Sequence, residues 1–488
     1  MDAMSLSFER TQSVAILGGG PGGYEAALAA AQLGAEVTVI ERQGIGGAAV
    51  ITDVVPSKTL IATADAAVAI QGASDLGVQL FAKGGDGRPL AAEVAVNIAA
   101  VNRRVLALAR QQSDDMRASL VEAGVRIIAG HGRLDGDSAV IVSTEAGGTD
   151  FDRVEADTLV VSVGSSPREL PSARPDGERI LTWTQLYDMK ALPKHLIVVG
   201  SGVTGAEFAS AYMNLGSQVT LVSSRDQVLP GEDTDAAAVL EKVFKRGGMT
   251  LLSKSRAQSV VNTGDGVVVT LSDGRTIEGS HCLMAVGAVP NTAGIGLEEA
   301  GVQCADSGHI RVNRVARTSV PNIYAVGDCT NFVPLASVAS MQGRTAIFHA
   351  LGDVVIPLER RRITANIFTA PEIASVGFSE QDVLEGRVDG VVRRLPLSAN
   401  PRAKMQGIKD GFVKVIARQG SGTVIGGVIV APRASELIYP LAIAVERRLT
   451  VDQVSRVFAV YPSLSGSITD ATRAMHIVER NDAGESDS

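Results

Sequence analysis

Cysteine is nearly absent from this chain. The 488 residues hold three, Cys282, Cys304 and Cys329, odd in number and far apart. Such a set builds neither a disulfide framework nor a metal cluster, and it points to a reducing compartment. A basic tract is also missing. The balance is mildly acidic, 45 Lys and Arg against 53 Asp and Glu, which argues against nucleic acid as a partner. No apolar run approaches the roughly 18 residues that cross a bilayer, so no integral membrane segment is expected. The opening MDAMSLSFERTQ is polar and leads directly into a strand pattern, unlike a secretory signal, and a cytoplasmic protein is the expectation. Six histidines (His131, His195, His281, His309, His349, His476) are scattered without metal-ligand spacing, and no metal is expected.

What is present is a duplicated pattern. Val14–Leu17 runs into Gly18-Gly19-Gly20-Pro21-Gly22-Gly23, and Leu196–Val199 runs into Gly200-Ser201-Gly202-Val203-Thr204-Gly205. Each apolar run is followed by G-x-G-x-x-G, an Ala-rich helical pattern and a second apolar strand, Val37–Ile40 or Val219–Val222. This is the signature of two dinucleotide-binding β-α-β units. In the first, Gly18, Gly20 and Gly23 supply a tight turn, close approach to a pyrophosphate and close helix–strand packing. Glu41 follows the second strand, where a carboxylate accepts hydrogen bonds from a ribose 2′-OH. In the second, Gly200, Gly202 and Gly205 repeat the turn, but the strand ends Val222-Ser223-Ser224-Arg225 with no acid. Ser223 and Arg225 suit a 2′-phosphate, so NADPH is expected, with NADH as the alternative.

Helical periodicity is expected over Val96–Ala123 and Ser435–Arg448, and strands over Val125–Ile128, Val413–Ala417 and Val424–Val430. Lys83–Arg88 reads as a Gly-rich loop and Asn481–Ser488 as a disordered tail.

The motifs together resemble the flavoprotein disulfide reductases, the family of lipoamide dehydrogenase and glutathione reductase, nearly end to end. Thr158–Pro167 is similar to the family's A-T-G-S-x-P crossing, with Gly164 in it. Ala285–Thr292 resembles A-x-G-R-x-P-N-T, with Gly287 kept and Ala288 in place of Arg. Thr318–Asp328 is a close copy of the second FAD motif, and Gly130 and Gly132 sit in the adenine-side strand. The resemblance implies an α/β protein with two Rossmann-like dinucleotide-binding domains and an α+β C-terminal dimerisation domain. Residues 1–165 and 285–357 would bind FAD and form the central domain, 166–284 NAD(P)H, and 358–480 would make a homodimer. It also implies that Gly47, Gly327 and Asp328 bind FAD, Asp328 at the ribityl chain.

Against that family, four reactive side chains are missing. Its active-site helix reads G-G-T-C-x-x-x-x-C-h-P-S-K, and here Gly46–Lys58 carries Ala49 and Val54 at the two cysteine positions. Neither can form the thiolate that exchanges with a disulfide. The H-P-T-x-x-E segment that the partner subunit supplies becomes Tyr461-Pro462-Ser463-Leu464-Ser465-Gly466, with Tyr461 for the base and Gly466 for the acid. The resemblance places Lys58 near the flavin N5 and Glu207 as the acid paired with it, so the flavin-reducing half is kept. The chain is similar to the cysteine-less quinone reductases of this family. The expectation is an FAD-dependent NAD(P)H dehydrogenase that passes electrons directly to a quinone or similar small oxidant, with Lys58, Glu207 and Tyr461 at the chemistry. An oxidase, a transhydrogenase and a redox-silent FAD- and NADPH-binding partner are the alternatives.

Overall fold

The computed structural model describes residues 11–79, 81, 94–143 and 151–476. The expected loop at Lys83–Arg88 and the tail Asn481–Ser488 lie outside the described residues.

Two five-stranded parallel sheets repeat one plan. The first orders its strands Ile323–Ala325, Thr158–Val161, Ser13–Leu17, Glu36–Glu41 and Arg126–Ala129. The second orders Thr250–Leu252, Gln218–Val222, His195–Val199, His281–Met284 and Ile180–Leu181. In each, the strand before the glycine turn is flanked on both sides in parallel register: Ile16 faces Val39 and Val160, and Val198 faces Leu221 and Leu283. Parallel strands buried on both faces read as continuous apolar runs, which is why Val14–Leu17 and Leu196–Val199 are legible in sequence. Ile16, Val39, Ile197 and Val198 are fully buried. Each such side chain contributes about 1.5–3 kcal/mol through burial. A two-stranded crossing, Ser165–Pro167 against Ala288–Pro290, links the two sheets' segments.

The C-terminal part is a five-stranded antiparallel sheet in the order Thr364–Ile367, Glu372–Gly377, Val424–Ala431, Phe412–Arg418, Gly390–Pro396, with helices on it. The helical pattern Ser435–Arg448 proves to be two helices, Ala434–Leu437 and Tyr439–Glu446. Pro440 explains the break, because proline has no N–H to donate one turn back and opens a new helix in its first turn. Lys414, on the strand Phe412–Arg418, is fully buried and meets Asp233, Asp235 and Glu380. Asp233 is also the N-cap of the helix Thr234–Arg246, so one ammonium ties the second sheet's helix layer to the C-terminal sheet.

The long helix Ile98–Glu122 starts on an Asn97 cap, whose side chain accepts from the Ala100 N–H at 3.0 Å. It braces the site from behind. Ser113 donates to the Ile45 carbonyl at 2.6 Å, just ahead of Gly47, and Asn102 donates to the Leu186 and Met189 carbonyls at 3.3 and 3.0 Å.

Candidate active site

The helix Pro21–Gln32 begins at Gly20 with no side-chain cap and no acid in its first turn. Its leading N–H groups and positive dipole end are therefore left for an anion. The glycines divide the work. A Cβ at Gly18 would lie 2.3 Å from the Ser162 carbonyl oxygen, and one at Gly23 would lie 2.0 Å from that of Gly18; at Gly20 the nearest atom is 3.9 Å away. The first two close the turn and seat the helix, and the third keeps the approach open. Glu41 is held by three backbone donors, Gly19 and Gln43 at 2.7 Å each and Gly44 at 3.3 Å. Its carboxylate is fixed at the rim, with lone pairs left for a ribose hydroxyl.

Gly18, Gly20, Glu41, Gly47, Lys58, Gly132, Gly164, Glu207, Gly327 and Asp328 all line one cavity of about 970 Å³. The Gly46 N–H donates to the Gly19 carbonyl at 2.7 Å, which lays the next segment across the glycine turn. That segment is two helices, Gly47–Ile51 and Val54–Gln71, broken at Thr52–Asp53. Ala49 and Val54 line the cavity along with Lys58, one turn further on.

Lys58 Nζ donates to Glu207 Oε2 at 2.8 Å, from the helix Val54–Gln71 to the helix Val203–Asn214. The Glu207 side chain is 5% exposed and that of Lys58 27%. The second Glu207 oxygen accepts the Phe368 N–H at 2.8 Å, and the Phe368 ring lies 4.9 Å from Lys58 Nζ. The carboxylate is thus satisfied on both sides and the ammonium is fixed over an aromatic face. Phe368 is a site residue that sequence reasoning missed, because a backbone donor leaves no mark in the sequence.

Asp53 was missed as well. It lines the cavity at the break between the two helices. Burial pushes its carboxyl up to about 6; Lys58 pulls it down, and Glu207 and Asp328 push it up. Asp328 is raised too, by burial, opposed by the Ser165 hydroxyl that donates to it at 3.4 Å.

Residues 12–343 match the family described as "Pyridine nucleotide-disulphide oxidoreductase", and residues 363–472 match its dimerisation domain. The chain belongs to the pyridine nucleotide-disulphide oxidoreductases. This family uses FAD and NAD(P)H. The oxidoreductase is 52% identical to the "NAD(P)H dehydrogenase (quinone)" of Mycobacterium tuberculosis (strain ATCC 25618 / H37Rv) over 470 residues, 95% of this chain and 93% of that one. It is 32% identical to the "Dihydrolipoyl dehydrogenase" of Bacillus subtilis (strain 168) over 458 residues, 93% and 94% of the two chains. The crystal structure of LpdA from M. tuberculosis aligns with a TM-score of 0.89 at 50% identity, covering 96% of this chain and all of that one. The HOCl-induced flavoprotein disulfide reductase RclA from Escherichia coli shares the fold, with a TM-score of 0.82 at 21% identity, covering 95% and 100% of the chains.

The oxidoreductase keeps three free thiols, Cys282 and Cys329 buried and Cys304 exposed. Burial raises all three, Cys329 to about 12, which suppresses thiolate. The second glycine turn is built like the first: a Cβ at Gly200 would lie 2.1 Å from the Ala285 carbonyl oxygen and one at Gly205 1.8 Å from that of Gly200, while Gly202 has open space. Gly287, two residues after the Ala285 that packs on this turn, has a positive φ of 98° and, like Gly200, Gly202 and Gly205, is not part of the cavity wall. Ser223, just past the strand Gln218–Val222, is 2% exposed, and its hydroxyl is shared with Ser201 at 2.7 Å. Ser224, Arg225 and Asp226 are exposed at this turn. Tyr461 stands apart from the Lys58–Glu207 pair within one chain: it is 82% exposed and outside the cavity wall.

No described helix is long and apolar enough to cross a membrane.

Proposed function

We propose that this chain is an FAD-dependent NAD(P)H dehydrogenase that delivers electrons to a quinone-class acceptor without a redox disulfide, as a cytoplasmic homodimer. The observation that carries this is the composition of one cavity wall: Lys58 and Glu207 are paired there, and Ala49 and Val54 stand beside them where sulfur chemistry needs thiols. The name of the M. tuberculosis relative supports the acceptor class.

The residues present fit FAD. The uncapped helix start at Gly20 suits the pyrophosphate, Glu41 the ribose and Asp328 the ribityl hydroxyls. When bound, FAD supplies a carrier for an electron pair between donor and acceptor. The chain does the rest. Lys58 holds a positive charge at the cavity, and Glu207 with the Phe368 N–H keeps it in place. Ala49 and Val54 offer a small apolar wall for a flat ring. Arg225, with Ser224, favours a donor that carries a 2′-phosphate, hence NADPH over NADH.

The test is NADPH oxidation by the FAD-loaded protein with a naphthoquinone, beside oxidised lipoamide. Rapid turnover with quinone and none with lipoamide is expected. Turnover with lipoamide would overturn the reading of Ala49 and Val54.

A further inference from the structure

Reducing a quinone to a hydroquinone takes two electrons and two protons. Hydride from the nicotinamide brings both electrons and one proton, so a second proton must come from the protein or solvent. Lys58 is committed to Glu207 at 2.8 Å. Resting on the quinone reading above, we propose that Asp53 is the proton donor to the acceptor: its carboxylic O–H breaks as an O–H bond forms on the quinone oxygen. The carboxylate left behind regains its proton from solvent.

Three observations carry this. First, Asp53 lies between Ala49 and Val54 in sequence and lines the same cavity. It therefore belongs to the wall assigned to the acceptor. Second, its backbone is pinned while its side chain is unused. The Asp53 N–H donates to the Ala48 carbonyl, and its own carbonyl accepts the Ser57 N–H, both at 2.8 Å. It stands at the N-cap of the helix Val54–Gln71, yet its carboxyl caps nothing and takes no hydrogen bond among the described residues. An acid in that position ordinarily accepts an N–H of the first turn. Third, the titratable groups that face it come from four elements: Lys58 on the helix it caps, Glu207 on the helix Val203–Asn214, Asp328 on Gly327–Cys329, and the neutral Tyr187 hydroxyl on Trp183–Asp188. Burial holds the acid in its neutral, proton-bearing form to higher pH than usual; Lys58, already paired, opposes this, and the Glu207 and Asp328 carboxylates add to it. General acids work best with a titration point near the operating pH.

The test uses the FAD-loaded protein with NADPH and two acceptors: 1,4-naphthoquinone, which takes up protons, and ferricyanide, which takes an electron alone. Asp53→Asn should lower the ratio of quinone to ferricyanide turnover by roughly 10²-fold, the usual scale of general acid catalysis. Wild-type quinone turnover should fall as pH rises above about 6, and Asp53→Asn should lose that limb. A second readout needs no turnover. The absorption bands of the resting oxidised flavin should shift with Asp53 ionisation in wild type and not in Asp53→Asn. Asp53→Glu, which keeps a carboxyl, should restore both the limb and the spectral titration; it decides the matter if Asp53→Asn fails to retain FAD. An unchanged acceptor ratio, or a spectral titration that persists in Asp53→Asn, overturns the role of Asp53 alone. A wild type that reduces ferricyanide but no quinone overturns the quinone reading and this proposal with it.

Discussion

Replacing Lys58 with methionine keeps the length of the side chain and removes its charge. Glu207, 5% exposed, then loses its counter-ion at 2.8 Å and keeps only the Phe368 N–H. Breaking a sealed ion pair costs about 3–5 kcal/mol, and breaking an exposed one costs at most about 1 kcal/mol. Lys58 is 27% exposed, so the expected stability loss lies between, about 2 kcal/mol, with a lower Tm. The kinetic effect is larger. A unit charge acting across about 5 Å at an effective dielectric constant near 20 is worth about 3 kcal/mol to a developing negative charge. That is a rate factor of roughly 10². The assay is stopped-flow bleaching of the flavin band on mixing with NADPH, at matched FAD occupancy. Glu207→Gln keeps an acceptor for the Phe368 N–H and leaves Lys58 charged, so it should slow the bleaching by less. If Lys58→Met bleaches at the wild-type rate while retaining FAD, the charge has no part in donor oxidation and the reasoning fails.

Other outcomes follow from the same structure. Arg225→Glu places a carboxylate at the exposed end of the second nucleotide strand; KM for NADPH should rise at least roughly tenfold relative to NADH by repulsion of the 2′-phosphate, and an unchanged ratio would remove Arg225 from donor selection. Lys414→Met leaves Asp233, Asp235 and Glu380 facing one another around a fully buried methionine, so about 3–5 kcal/mol should be lost, read as a drop in Tm with the quinone-to-ferricyanide ratio preserved. Asp53 titrates higher in the folded chain than its ordinary 3.8, at about 6. The folded state therefore binds more protons between those pH values, and the contribution of Asp53 to stability is present below about 4 and lost as pH rises through about 6, some 3 kcal/mol in all. Asp53→Asn should accordingly gain more Tm over wild type at pH 7 than at pH 4.5; an equal gain at both would show that burial does not perturb this carboxyl.

What could be read from the sequence was whatever is written in side-chain identity. The two glycine turns, their flanking apolar runs and the Glu41 position announced both nucleotide units, because a parallel strand buried on both faces has to be apolar and only glycine tolerates the close contacts at Gly18 and Gly23. Ala49 and Val54 were equally plain as substitutions. The helix expected over Ser435–Arg448 was right in kind and wrong in continuity, since its periodicity outweighed the one residue, Pro440, that breaks it. At Ser223 the sequence shows a hydroxyl but not its burial or its contact with Ser201.

The residues missed at the site share a different cause. Phe368 acts through its N–H, and every residue but proline has one. Asp53 acts through burial, which a carboxylate in sequence argues against. Its place is set by the helix break at Thr52–Asp53, by Ser113 holding the preceding loop and by the opposing helix that carries Glu207. No single segment encodes that environment. A chain that has given up both thiols still has to move a proton when its acceptor is a quinone. A group able to do so must sit where the acceptor sits, and among the described acids of that wall Asp53 is the one that burial keeps protonated toward neutral pH without a hydrogen bond to hold it elsewhere.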